Sequence, residues 1–161
     1  MPRKALLESE DLDRNPAGVK LAFGGLDELL GYRLRRAQGA MHRHYMICVG
    51  ELDLTQKQTA TLWLISSNPG VSQVDVAATL GMDRATMMAI VDRLEGRGLV
   101  LRKRSAADRR RQELYLTPAG QSLLRKVKKR IALHEDHFKS HFTRPELEGL
   151  VAALQKFRDV S

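Results

Sequence analysis

The chain has 161 residues, 43% of them hydrophobic, with 27 Lys and Arg against 19 Asp and Glu and a formal charge of +8. That length and apolar content exclude a disordered tail and allow one domain with its own core, while the basic excess asks for an acidic partner, either nucleic acid or an anionic membrane surface. A single cysteine, Cys48, excludes an intramolecular disulfide framework and fits a reducing cytoplasm, and no apolar run is long enough to span a bilayer.

Residues 1–25 read as an N-terminal arm. Pro2, Pro16 and Gly24-Gly25 punctuate it, and its scattered charges do not make a signal peptide. A helix is predicted over about residues 26–50, because Leu30, Leu34, Ala37, Met41, Tyr45 and Cys48 recur at three- and four-residue steps. A second opens with the capping box at Thr55 and Gln58 and stops at Asn68-Pro69-Gly70. Ser72 is placed to cap a third helix that Gly81 closes, and Asp83 to cap a fourth that reaches Glu95. Two strands follow, around 99–104 and 111–117, the second with Leu114 and Leu116 on one face and Glu113 and Tyr115 on the other. Thr117-Pro118 starts a fifth helix, predicted to reach Phe142 with Leu124, Val127, Ile131, Phe138 and Phe142 as its stripe. A second capping box, at Thr143 and Glu146, starts a sixth that carries Leu147, Leu150, Leu154 and Phe157.

The order predicts a mainly α, α+β winged helix-turn-helix of about six helices with a two- to three-stranded wing. Residues 55–117 form the DNA-binding lobe, and 26–54 with 118–161 are dimerisation helices. The outer helices carry apolar stripes that the small lobe cannot cover, so an obligate homodimer through the N- and C-terminal helices is the economical solution. A helix-turn-helix sets its second helix in the major groove of double-stranded DNA, where donors, acceptors and methyl groups distinguish the base pairs. With Val91 at the core, a helical wheel puts Leu94, Met87 and Met88 beside it. The opposite face, offered to the groove, carries Thr86, Ala89 and Arg93, with Ala85 and Ile90 at its edges. Thr86 suits a base edge or a phosphate, and Arg93, late in the helix, suits a phosphate. The expected DNA contacts are Ser72, Asp83, Arg84, Ala85, Thr86, Ala89 and Arg93 from the helices and Arg104, Asp108, Arg109, Arg110 and Arg111 from the hairpin.

The run Asp83-Arg84-Ala85-Thr86-Met87 through Val91-Asp92-Arg93-Leu94-Glu95 and Gly98-Leu99-Val100, followed by Asp108-Arg109-Arg110 and Leu116-Thr117-Pro118-Ala119-Gly120, resembles the MarR family of bacterial transcription regulators. The resemblance covers roughly residues 26–157 and includes the order of all six helices and the wing. It implies a cytoplasmic homodimer on a pseudo-palindromic operator, in many relatives a repressor released by a small aromatic carboxylate or related phenolic compound. By the same resemblance, Asp108 braces the wing by pairing with one arginine while another enters the minor groove. The sequence departs from the family at Ala89, where arginine or another polar residue is common, so base reading leans more on the wing and on DNA shape.

The resemblance also places an effector site among the first, second and fifth helices. Candidate residues are Tyr32, Arg33, Arg36, Met41, His42, His44, Met46 and Trp63, because an apolar cavity with one or two cations suits a planar aromatic acid. Arg36 stands first, since arginine near this point is often a pocket residue in relatives. The competing reading puts Trp63 in the core and leaves the histidines at an interface or on the surface.

Three rivals share the fold. Cys48 suggests an oxidant sensor, but it lies late in the first helix on the apolar stripe and reads better as a buried inert thiol. His134, His137 and His141, with Glu135 and Asp136, suggest zinc sensing, though the spacing does not complete a site. A ligand-independent nucleoid or RNA-binding winged helix would show little sequence preference. No enzyme is expected, and no catalytic residue, metal site, cofactor or membrane partner.

Overall fold

The computed structural model describes residues 21–104 and 112–159. The chain divides into two compact units, Met1–Ala40 and Met41–Ser161.

In the first unit, Gly24 and Gly25 take φ of +55° and +90°, a backbone region that suits glycine. A 3-10 turn, Leu26–Glu28, follows, and Leu29 is extended before α1 (Leu30–Val49) begins. The predicted start near residue 26 is therefore four residues early, because the extended Leu29 separates the turn from the helix. Arg33 Nε donates to the Asp27 carbonyl at 2.7 Å, and the Phe23 and Tyr32 rings meet at 5.9 Å.

In the second unit, a 3-10 turn at Gly50–Leu52 and a left-handed Asp53 (φ 48°) lead from α1 to α2 (Gln56–Ser67). The capping box is formed: Thr55 Oγ1 accepts from the Gln58 amide at 3.2 Å, and the Thr55 amide donates to Gln58 Oε1 at 3.0 Å. A two-residue strand, β1 (Val71–Ser72), precedes α3 (Gln73–Thr79) and α4 (Arg84–Gly96). The hairpin strands are β2 (Val100–Arg104) and β3 (Gln112–Leu116), then come α5 (Pro118–Lys139) and α6 (Arg144–Asp159). The sheet is antiparallel in the order β1-β3-β2, with Val71 opposite Leu114 and Val100 opposite Leu116. This is a winged helix-turn-helix, as the sequence pattern predicts, with the wing's third strand supplied from the residues before α3.

The core joins α2, α3, α4, the sheet and α5 through Leu62, Ile65, Val76, Met87, Val91, Leu94, Val100, Leu114, Leu124 and Val127. Each large side chain fully withdrawn from water contributes roughly 1.5–3 kcal/mol. Met88 corrects the helical-wheel reading: it is 53% exposed, because Met87 fills the core position and its neighbour turns outward. The end of α5 is a second correction. His141 and Phe142 amides bond three residues back, to Phe138 and Lys139, so the helix tightens and stops before Thr143, and Phe142 lies past its end. At α6 the predicted box is half made: the Thr143 amide donates to Glu146 Oε2 at 2.8 Å, but the Thr143 hydroxyl donates to the same carboxylate instead of accepting.

The start of α5 is a close junction, with Gly120 packed on the Leu99 backbone. Thr117 Oγ1 donates to the Gly98 carbonyl at 2.6 Å and accepts from the Gly120 amide at 3.0 Å, while the Thr117 amide donates to the Leu99 carbonyl at 3.1 Å. One threonine thus ties the end of α4, the entry to β2 and the first turn of α5 together. Gly98, at φ +67°, supplies the left-handed step that lets the chain reverse into the hairpin.

Candidate nucleic-acid interface

The turn between α3 and α4 fixes the candidate reading helix. Asp83 Oδ1 accepts from the Thr86 amide at 2.8 Å, and Thr86 Oγ1 donates to Asp83 Oδ2 at 2.6 Å. The Thr86 hydroxyl and amide hold the Asp83 carboxyl below its ordinary range, so the cap stays ionised at neutral pH. Arg84, Ala85 and Ala89 are exposed on α4, and Thr86 is half-buried. An open groove between α3 and α4, lined by Gln73, Val74, Ala77, Arg84, Ala85 and Met88, is mostly apolar. Ser72 is buried; its hydroxyl accepts from the Asp75 amide at 3.1 Å and donates to the Asp75 carboxylate at 2.7 Å, so it caps α3. Arg93 is exposed and faces Asp53 Oδ1 at 3.6 Å, and Arg97 reaches the same carboxylate at 3.5 Å. Arg104 is exposed at the end of β2. Asp108, Arg109, Arg110 and Arg111 lie outside the described residues.

One residue central to this surface escaped the sequence reading. Arg102 on β2 is only 18% exposed, and its guanidinium meets three partners: Asp92 at 2.5 Å, Glu95 Oε2 and Gln73 Oε1 at 3.4 Å. The Arg102 amide also donates to Glu95 Oε1 at 3.3 Å. A planar fork of donors suits two carboxylates at once, which a lysine would not match. The hint was available, since Asp92 and Glu95 are three apart on one face of α4 and basic residues follow on the next strand.

The effector candidates fall in both units. Within the first, Tyr32 and Arg36 are half-buried; Arg36 Nη1 donates to the Tyr32 hydroxyl at 3.0 Å, and the guanidinia of Arg36 and Arg35 lie 5.8 and 5.7 Å from the Tyr32 ring centre. Arg33 is exposed, bonded to the backbone of Asp27. Within the second unit, Met41 and Met46 are exposed, and His42 Nδ1 is 3.3 Å from Gln56 Oε1. Trp63 is 38% exposed with Lys128 Nζ 4.3 Å over its ring, which corrects the core reading of that residue. His44 is drawn into a cluster with His134 and Cys48: the two Nδ1 atoms lie 2.8 Å apart, and Cys48 Sγ is 3.7 Å from His44 Nδ1. Burial pushes the Cys48 thiol up, with Arg130 opposing it, and burial lowers both histidines. Cys48 is half-buried, less enclosed than the sequence reading expects.

The family profile described as MarR family matches residues 52–111, from the end of the turn before α2 into the wing. A protein named as a candidate regulator for the hcr operon of Thauera aromatica is 30% identical over 139 residues, 86% of this chain and 84% of its own length. The chain belongs to the MarR family of transcription regulators. Among solved MarR-type structures, the transcriptional repressor CouR bound to a 23-mer DNA duplex superposes with a TM-score of 0.81 at 40% identity, covering 87% of this chain and 99% of that one. CouR bound to p-coumaroyl-CoA gives 0.79 at 38% identity, over 86% and 97% of the two chains. The PcaV regulator of Streptomyces coelicolor with its natural ligand gives 0.74 at 26% identity, over 88% and 97%. The MarR assignment makes the chain a regulator and not an enzyme. Among the described residues no helix is long and apolar enough to cross a membrane.

Proposed function

We propose that this MarR protein is a cytoplasmic repressor that binds a pseudo-palindromic operator as a homodimer and leaves it when an aromatic acid or its thioester binds. The observation that carries the reading is the start of α4 capped by Asp83, where Arg84, Ala85 and Ala89 are exposed and Thr86 is half-buried. Thr86 keeps its methyl for a thymine, and Arg84 suits a phosphate or a guanine edge. In this proposal Ser72 and Asp83 act by fixing the two helices, and Arg104, Asp108, Arg109, Arg110 and Arg111 form the wing contact. Residues 55–117 are the DNA-binding lobe, with 26–54 and 118–161 as dimerisation helices. Leu133, Phe142, Leu150, Val151 and Leu154 are each at least 40% exposed in the single chain, an apolar surface that a second copy would cover.

For the effector, support comes from the aromatic ligand of CouR and from the Tyr32 and Arg36 pair, an aromatic face beside a fixed cation. Release of the operator requires only that the ligand prefer a dimer whose reading helices are wrongly spaced. A preference of about 1–3 kcal/mol weakens operator binding roughly 5- to 150-fold. One titration tests both halves: fluorescence anisotropy on a labelled operator, with and without hydroxycinnamic acids and their CoA thioesters. The DNA should dissociate in the presence of at least one of these compounds, and Arg36→Ala should blunt the response. Indifference to the whole series would remove the aromatic-effector reading and leave DNA binding standing. In the same assay, replacing Arg109 and Arg110 together with alanine alters both wings of the dimer and should reduce the salt slope by about 2–4. An unchanged slope would contradict phosphate contact by the wing.

A further inference from the structure

By spacing alone, His134, His137 and His141 are the histidines that suggest zinc. The fold brings a different set together. His44 and Cys48 are four residues apart on one face of α1, and His134 enters from α5, 90 positions from His44. One ligand atom from each of His44, Cys48 and His134 lies within 4.8 Å of the other two.

We propose that His44, Cys48 and His134 form a zinc-type metal site that links α1 to α5. A tetrahedral zinc ion with its usual bond lengths sets nitrogen–nitrogen edges of about 3.3 Å and nitrogen–sulfur edges of about 3.6 Å. The observed separations are 2.8 Å between the Nδ1 atoms and 3.7 Å from Cys48 Sγ to His44 Nδ1. Binding therefore needs the two imidazoles to part by about 0.5 Å, with Cys48 Sγ and the His134 nitrogen, which lie within 4.8 Å of each other, brought to about 3.6 Å. Without metal, one Nδ1 carries the proton that bonds the other; when metal binds, that ring changes tautomer and carries its proton on Nε2, both imidazoles stay neutral, and only the thiol proton is released to solvent.

The donor set of two imidazoles and one thiolate selects zinc or a similar borderline ion over magnesium or calcium. Arg130 lies beside the same turn of α1 and donates to the Cys48 carbonyl at 3.3 Å. The surroundings are aromatic. His137 stacks on His44 at 4.2 Å and 9°, and Phe138 meets the His44 and His134 rings edge-on at 5.4 and 5.3 Å. His137 thus walls the site, and His141, 5.5 Å beyond it, stands outside. Three protein ligands leave a fourth position open, the arrangement of a site that exchanges ligand or metal.

This inference does not depend on the DNA-binding reading, and its test uses no DNA. The full chain, reduced and freed of metal, is titrated with cobalt(II), whose absorption reports geometry and sulfur ligation. One equivalent should produce the intense visible bands of a tetrahedral centre and a thiolate-to-cobalt band in the near ultraviolet, both removed by excess zinc. Cys48→Ala should abolish the ultraviolet band while the far-ultraviolet circular dichroism is kept. His44→Gln should weaken cobalt binding at least about 10-fold, and His141→Gln should change nothing. The half-buried Cys48 and His44 decide the matter even if a variant at the buried His134 fails to fold. Absence of the sulfur band in the unaltered chain, its survival in Cys48→Ala, or its loss in His141→Gln would overturn the proposal.

Discussion

Replacing Gly120 with alanine is expected to destabilise the protein by about 3 kcal/mol or more, at or beyond the upper end for overpacking. A Cβ built on Gly120 would stand 2.0 Å from the Leu99 carbonyl oxygen and 3.0 Å from its carbon. Those atoms are backbone and cannot rotate aside. The Leu99 oxygen is also the acceptor for the Thr117 amide and hydroxyl, at 3.1 and 3.3 Å, so moving it breaks the junction that seats α5 on the hairpin. For a chain of this size the loss corresponds to a fall in melting temperature on the order of 10 °C. Gly96→Ala is the control: nothing lies within 4 Å of its added Cβ, and its helical position should make alanine neutral or stabilising by up to about 1 kcal/mol. Urea unfolding of both variants makes the comparison. Equal midpoints for Gly120→Ala and the parent would contradict the packing of Gly120 on Leu99.

Arg102→Ala is expected to have the second large effect, and on two readouts. Removing a guanidinium shared by Asp92, Glu95 and Gln73 should cost about 1–2 kcal/mol, above an exposed pair and below a fully buried one, since Asp92 is 55% and Glu95 40% exposed. On the proposed DNA surface the consequence is larger. Two carboxylates on the reading helix lose their counter-charge, and β2 is no longer braced against α4. Operator affinity should fall at least about 10-fold at moderate salt, through repulsion from phosphates. Asp92→Asn in the same background should recover part of the loss, which a double-mutant cycle measures. The salt slope should change less than in the Arg109 and Arg110 double variant, because Arg102 is turned toward protein carboxylates. Unchanged stability with a slope reduced as for a phosphate contact would reverse the assignment of this residue.

The parts of the fold that are local in sequence were legible in it. Thr55 with Gln58, Ser72, Asp83 and Thr117-Pro118 each mark a helix start through groups within three residues of one another, and all four caps form. Leu114 follows the period of the sheet, and Met87, Val91 and Leu94 follow the period of α4. The misses depend on distance or on competition between neighbours. Met87 and Met88 have similar claims on the core by angle, and only the packing of α3 against α4 decides that Met87 is inside. Arg102 could be seen as basic but not as clamped, since its partners come from two other elements. Periodicity carried α5 three residues too far because Phe142 continues the stripe after the backbone has left the helix. The cluster of His44, Cys48 and His134 joins residues of α1 and α5, and no spacing rule reaches across that interval. For the effector candidates, the pairing of Tyr32 with Arg36 is local in sequence, whereas that of Trp63 with Lys128 joins α2 to α5 and no spacing rule reveals it.

Selection of bound duplexes from a random library, followed by competition of the selected duplex against a scrambled one at about 150 mM salt, measures the regulatory reading most directly. An operator-binding MarR dimer should yield a two-fold related pair of half-sites about one helical turn, roughly 34–36 Å, apart, and should prefer it to the scrambled duplex by at least about 10³. Recovery of no common sequence, with every duplex bound alike, would contradict sequence reading by α4 and the wing.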